Sequence, residues 1–278
     1  MNSIAALPKG RTEHVIFFGT PEIAVGPLRA LVAAGFAVDL VVTGVDKRRG
    51  RGSQTSPSPV KQAAIELQLP VTHEVSDAIA LVASSDAKFA GSYVGVVVAY
   101  GHIISNEALQ VLPMINIHYS LLPRWRGAAP VERALLAGDE QTGVCIMQVV
   151  EQLDAGDILS SATTQISQTD TTTTLRSRLG EIANPMLIEV LSNGVSTTQP
   201  QTGDIVVAAK ITQADLEIDW SKPAAVIDRQ VRVGGAFTFF YDKRFKIHSL
   251  KVSGESFITE SGNIMGVNDR VLVACGQG

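Results

Sequence analysis

Short, uninterrupted apolar runs that break off into glycine or polar residues constrain this chain more than any other feature. His14-Val15-Ile16-Phe17-Phe18-Gly19 is the first of them, closed by Gly19-Thr20-Pro21. A run without polar alternation reads as a strand covered on both faces, which is the habit of parallel sheets. Pro21 suits the first turn of a helix whose apolar side is Ile23, Leu28, Leu31 and Val32, and Gly35 stops it. Ala37 to Val45 reads as a second buried strand, and the resulting β-α-β unit is expected to cross over right-handed. Val94 to Ala99 repeats the pattern, and an apolar run from Val111 to Ile115 leads a further strand into Asn116-Ile117-His118. The fold predicted is α/β, a doubly wound, mostly parallel sheet of Rossmann-like form.

The chain has 278 residues, enough for two domains, because single cores rarely grow past roughly 250 to 300 residues. Residues 1–13 read as a loose arm and 14–192 as the α/β domain. Residues 193–204 are polar with proline and glycine, the texture of a linker. From Ile205 the pattern changes to short strands parted by turn residues: Phe237 to Tyr241, Phe245 to Val252, Ser256 to Thr259, Ile264 to Val267 and Val271 to Ala274. Residues 205–278 are therefore expected to form a smaller, β-barrel-like domain of OB type.

No apolar run approaches the ~20 residues that span a bilayer, and residues 1–11 lack an h-region or a cleavage site, so a cytoplasmic protein without membrane partners is expected. A monomer is expected too. The formal net charge of -4 argues against a uniformly basic nucleic-acid binder but leaves room for a local patch. Cys145 and Cys275 stand far apart, without the close pairs of metal or redox motifs, and read as buried reduced thiols.

The chemistry concentrates where the fourth run ends. Asn116 and His118 alternate, so a strand would point both side chains to one face as it emerges from the sheet. Downstream, Leu153-Asp154-Ala155-Gly156-Asp157 sets a carboxylate beside a glycine that can turn it back toward the sheet edge. A lone histidine on a strand more often packs in a core than catalyses, and a lone asparagine more often caps a turn. Together with Asp154 they supply what acyl transfer to an amine needs: a donor for the oxyanion, a group that moves a proton, and a group that fixes its charge and tautomer. No Ser or Cys is paired to a base by motif, so direct attack through a tetrahedral intermediate fits better than an acyl-enzyme. His118 has no His or Cys at ligand spacing, so no metal is expected. Gly19-Thr20-Pro21 lacks the further glycines of a dinucleotide fingerprint, and no phosphate-binding Gly-Lys-Ser/Thr loop occurs.

A second distinctive stretch runs from Asp46 to Pro59 and carries Lys47, Arg48, Arg49 and Arg51 among glycines, serines and prolines. Connections of this kind usually take ~2 to 6 residues. A solvated loop and a clamp on the phosphates of a large anionic ligand both account for it.

Asn-x-His-x-Ser-Leu-Leu-Pro from Asn116, Arg124-Trp125-Arg126-Gly127-Ala128-Ala129-Pro130 and Leu153 to Asp157 resemble the folate-dependent formyltransferases. Supporting segments are Phe18 to Pro21, Gly50 to Lys61, Val97 to Gly101 and Ile218-Asp219-Trp220-Ser221, so the resemblance covers nearly the whole chain. It implies transfer of the formyl group of 10-formyltetrahydrofolate, a co-substrate, to the α-amino group of initiator methionyl-tRNA for translation initiation. It further implies that Asn116 holds the formyl oxygen, His118 shuttles protons and supports the oxyanion, and Asp154 orients the ring and orders a water. Ser120, Leu121, Leu122 and Pro123 match the folate-binding segment, Val97 and Tyr100 wall the pterin pocket, and Lys47, Arg48, Arg49 and Arg51 enter the acceptor stem. The alternatives are a nucleotide-sugar amine as acceptor, or an RNA-binding protein with an inactive catalytic domain. Two departures stand out. Arg232-Val233-Gly234-Gly235 replaces the family's Asn-Pro-Trp-Pro turn, and relatives continue beyond Gly276-Gln277-Gly278, so the barrel is expected to be shortened.

Overall fold

The computed structural model describes residues 4–48, 55–85, 92–195, 197–255, 258–267 and 270–277. In chain order the elements begin β1 (His14–Gly19), a 3-10 turn (Glu22–Ala24), α1 (Val25–Ala33), β2 (Ala37–Val42), β3 (Lys47–Arg48) and β4 (Thr55–Ser56). There follow α2 (Pro59–Glu66), β5 (Val71–Thr72), α3 (Val75–Ala83), β6 (Tyr93–Val98), α4 (Asn106–Val111), β7 (Met114–His118) and β8 (Arg124–Gly127). Then come α5 (Pro130–Ala137), β9 (Gln141–Gln148), β10 (Ile158–Gln165), α6 (Thr172–Asn193) and β11 (Val206–Ala208). The last are α7 (Gln213–Leu216), α8 (Ala224–Val233), β12 (Phe237–Phe240), β13 (Lys243–Lys246), β14 (Ile264–Val267) and β15 (Arg270–Val273).

Seven strands make one sheet in the order β10-β9-β7-β6-β1-β2-β5. Strands β7, β6, β1, β2 and β5 run parallel, and β9 and β10 add antiparallel at one edge. The chain winds outward from β1 to β5 and then returns to β6 on the other side of β1, so the carboxyl ends of the strands open a crevice at the reversal. The expected doubly wound sheet is present.

Burial explains the unbroken apolar runs. Val15, Ile16, Phe17 and Phe18 have no exposure. Val15 and Phe17 pack with Leu28, Leu31, Leu179 and Leu187 from α1 and α6, whereas Ile16 and Phe18 pack with Leu109 and Leu112 on the opposite face. Each such side chain contributes about 1.5–3 kcal/mol by leaving water. Helix α6 starts at a reciprocal Thr171–Thr174 capping box and buries Leu175, Leu179, Ala183, Leu187 and Leu191, one per turn.

Several boundaries differ from the sequence reading. Strand β2 stops at Val42 rather than Val45. Val111 closes α4 instead of opening β7, because Leu112 precedes Pro113 and is driven into extended backbone, which ends the helix. At the linker expected over residues 193–204, α6 runs on to Asn193, and Gln199 bridges to Ile158. Strand β11, assigned to the second domain, pairs in parallel with β8 of the first.

The second domain has a small core of Ile218, Ile227, Val231 and Ala236, with Trp220, Ile247, Leu250 and Cys275 against it. Its strands form two hairpins, β12-β13 and β14-β15. Among the described residues no ladder joins the two directly. Both are tied instead to the stretch from Glu217 to Ala224, where Ile218 N donates to Phe237 O at 2.8 Å and Ala224 N to Gln277 O at 2.8 Å. Strand β13 ends at Lys246 rather than Val252, and Ile258 and Thr259 lie in a bend rather than a strand, while Ser256 and Phe257 lie outside the described residues. Arg133 clamps the domains together, its Nη1 and Nη2 donating to the Asp215 carboxylate at 2.7 and 3.0 Å. Among the described residues no helix is long and apolar enough to cross a membrane.

Candidate active site

Strand β7 carries Asn116 and His118 out of the sheet beside β6 and β9, with Val97 and Met147 opposite Asn116 and Cys145 opposite His118. His118 Nε2 lies 2.8 Å from Trp125 O. A carbonyl oxygen only accepts, so Nε2 carries the proton of this contact and Nδ1 is the nitrogen turned to the carboxylate. Nδ1 stands 3.6 Å from Asp154 Oδ2. That oxygen accepts from Gly127 N at 2.8 Å, and Asp154 Oδ1 accepts from Asn116 Nδ2 at 3.4 Å. The three residues expected to act together do converge. The side chains of His118 and Asp154 are only 5% and 10% exposed, so their interactions are poorly screened by water.

The turn of the Asp154 loop has a different origin from the one expected. Asp154 itself is left-handed, with φ 48°, a region that Asp tolerates better than most residues. Gly156 serves close approach instead, since a Cβ there would sit 1.9 Å from Gln148 O. Trp125 is also left-handed, with φ 67°. Its indole Nε1 donates to Asp139 Oδ2 at 2.7 Å, and the Arg124 guanidinium lies 4.5 Å over its ring while holding the same carboxylate. This anchoring aims the Trp125 carbonyl at His118. Sequence reasoning missed the two backbone groups, Trp125 O and Gly127 N, because they carry no side-chain signal.

The segment after His118 is held from within. Ser120 is fully buried and its hydroxyl donates to Arg124 O at 2.6 Å, while Leu122 packs on Cys145, Met147 and Ile158. Pro123 is buried after a cis peptide bond. Leu121 lines a cavity of about 350 Å³ with Arg124, Trp125, Asp139, Glu140 and Thr142. Tyr100 is buried edge-on to Phe18 at 5.6 Å, and burial pushes its phenol pKa up. Burial likewise pushes the Cys145 thiol up, which makes it a poor nucleophile. Lys47 and Arg48 are exposed on β3, whose pairing with β4 draws the two ends of the basic loop together. Arg49 and Arg51 lie outside the described residues.

The formyl transferase family model matches residues 13–191, and the model for the formyl transferase C-terminal domain matches residues 210–278. The chain belongs to the formyltransferase family and is a transferase of that class. Among named relatives, methionyl-tRNA formyltransferase of Dechloromonas aromatica is 42% identical over 277 residues, covering 95% of this chain and 88% of the relative. The protein of the same name from Ruegeria pomeroyi is 40% identical over 277 residues, covering 95% and 89%. Among solved structures, an N-formyltransferase from Helicobacter canadensis in complex with folinic acid and dTDP-3-aminofucose aligns with a TM-score of 0.69, covering 96% of each chain. At 16% identity that likeness concerns the fold alone.

Proposed function

We propose that this chain transfers the formyl group of 10-formyltetrahydrofolate to the α-amino group of methionine esterified to initiator tRNA, for initiation of translation. One observation carries the reading: an amide, an imidazole and a carboxylate meet at the end of β7 in a chain 40–42% identical to proteins named for that reaction.

The amine nitrogen attacks the formyl carbon, a C–N bond forms, and the carbonyl electron pair moves onto oxygen. Asn116 Nδ2 holds that oxyanion, and His118 supports it. His118 carries the amine proton toward N10 of the folate as the bond from N10 to the formyl carbon breaks. Asp154 orients the ring, balances its charge and orders a water. Ser120, Leu121, Leu122 and Pro123 form the folate-binding segment, with Val97 and Tyr100 walling the pterin pocket; the folinic acid bound by the Helicobacter canadensis neighbour supports a folate on this fold.

Lys47, Arg48, Arg49 and Arg51 grip acceptor-stem phosphates. The second domain adds an RNA surface on one hairpin, where Phe239, Phe240, Tyr241 and Phe245 are exposed beside Lys243 and Lys246. Aromatic faces of this kind stack bases, and the flanking cations meet phosphates. In this reading residues 1–13 are an arm, 14–192 the catalytic domain, 193–204 a connection and 205–278 the tRNA-binding domain. It acts as a monomer, and its acceptor belongs to the cytoplasm.

The test offers labelled 10-formyltetrahydrofolate with methionyl-tRNA and, separately, with a dTDP-amino sugar. Label is expected on methionyl-tRNA, and His118→Ala is expected to slow its formylation about 10²- to 10⁴-fold. Transfer to the amino sugar alone sinks the acceptor assignment. Undiminished transfer by His118→Ala sinks the mechanism.

A further inference from the structure

Residues 192–209 fall between the two family matches, and most of them read from sequence as a linker. Several of their hydrogen bonds go to the Asp154 loop and to β8, the two segments that flank Asn116 and His118. Thr198 Oγ1 donates to Asp157 Oδ2 at 2.8 Å, and Gln199 and Ile158 exchange backbone hydrogen bonds at 2.9 and 2.8 Å. Farther on, Ala208 O accepts from Ala128 N and Ala129 N at 2.9 and 3.2 Å, next to the strand that carries Trp125 O and Gly127 N.

Gln201 joins the two sides. Its Nε2 donates to Asp154 O and to Gly156 O, each at 2.8 Å. Its Oε1 accepts from Arg126 Nε and Nη2 at 2.9 and 2.7 Å. The amide is thereby used up on both ends, one end on the Asp154 loop and the other on β8. Asp154 needs such help, because a residue with a side chain keeps a left-handed backbone only where its surroundings impose it. Arg126 in turn sits between Trp125, whose carbonyl faces His118 Nε2, and Gly127, whose N–H holds Asp154 Oδ2.

We infer that Gln201, on the chain between the two domains, is a positioning residue for formyl transfer: it holds the Asp154 loop in the turn from which the carboxylate meets Asn116 and His118. This rests on the role given to Asp154 above. Gln201 acts through that loop and touches no reacting atom, so its loss changes the rate of the chemical step rather than the binding of either substrate.

Gln201→Glu is the sharpest probe. It keeps the length of the side chain and the acceptor for Arg126, but it sets a carboxylate oxygen against two carbonyl oxygens. Formylation of methionyl-tRNA is expected to show kcat reduced about 10- to 100-fold, with KM for 10-formyltetrahydrofolate and for tRNA little changed. Gln201→Ala is expected to act in the same direction, and thermal unfolding of both variants shows whether they remain folded. Asp154→Asn, alone and combined with Gln201→Glu, completes a double-mutant cycle. Because Gln201 works through Asp154, adding Gln201→Glu to Asp154→Asn is expected to cost little more. Full kcat in folded Gln201→Glu or Gln201→Ala, or an equal loss on the Asp154→Asn background, overturns the inference. Full activity in Asp154→Asn itself overturns the role of Asp154 and the positioning role with it, which is a different result from a silent Gln201.

Discussion

Phe17 and Phe18 lie in the first domain with no exposure, whereas Phe239 and Phe240 in the second are 54% and 45% exposed. The same side chain is spent on cohesion in one domain and left facing water in the other. The first domain closes its sheet between two helical layers, and every residue of the central strand beyond His14 is buried. The second has, among the described residues, a core of four buried side chains, and it arranges its outer rings against one another, with Phe240 4.5 Å from Tyr241 and 6.0 Å from Phe245 between ring centroids. Neighbouring apolar rings kept at a surface mark a place of contact rather than a fault of packing. A rigid half can hold three polar groups in register, and a lightly built half can present a surface to something much larger.

The strongest way to break this contrast is Phe17→Ala. Loss of a fully buried ring is expected to cost about 3–5 kcal/mol of stability, read by urea unfolding; a cost within the ~0.5 kcal/mol typical of surface sites would mean that the sheet is not the stabilising half. Next in size, replacing Phe240 and Tyr241 together by alanine is expected to leave the unfolding midpoint nearly unchanged and to weaken tRNA binding by about 1–3 kcal/mol for each base that stacks. Unaltered affinity with wild-type stability would leave the rings without a partner. The smallest effect concerns the seam. Hydrogen bonds from Arg133 hold the Asp215 carboxyl down to about 2, against an ordinary value of 3.8. A carboxyl depressed in the folded state contributes stability above its unfolded pKa and loses it as pH falls through the folded one. The stability difference between wild type and Arg133→Ala is therefore expected to be full at neutral pH and to close between 3.8 and about 2. The pair is partly exposed, so the difference should stay within about 1 kcal/mol. A gap that persists below that window would assign the clamp to packing rather than charge.

Much of the first domain was legible because burial writes itself into composition. His14–Gly19 was read with both ends in place, and the alternation of Asn116 and His118 showed that they share a face. Asp154 was found by its loop, but its left-handed backbone was hidden, since aspartate adopts that conformation without requiring it and the neighbouring Gly156 drew the credit. Strands β8 and β11 escaped notice for a different reason. Arg124-Trp125-Arg126-Gly127 has no apolar period, Val207 is 67% exposed, and only the pairing partner 82 or so residues away makes either a strand. A polar stretch with proline and glycine looks slack until its hydrogen-bond partners are known, and the partners of Thr198 and Gln201 lie on distant loops. In the second domain the hairpins were visible as short strands, but how they would close was not, because closure depends on backbone pairing with the stretch from Glu217 to Ala224.

The pairing of β11 with β8 also decides where this protein can be recombined. A chimera spliced at the end of α6 would bring a foreign stretch against the Asp154 loop and a foreign strand against β8, and the borrowed domain would inherit contacts that belong to the catalytic half. The natural splice point lies after Lys210, past the Ala208 carbonyl that accepts from Ala128 N and Ala129 N and past the Ala209 and Lys210 carbonyls that accept from Arg133. Exchanged there, acceptor-binding domains could be traded while the residues around the reacting groups travel as one inheritance.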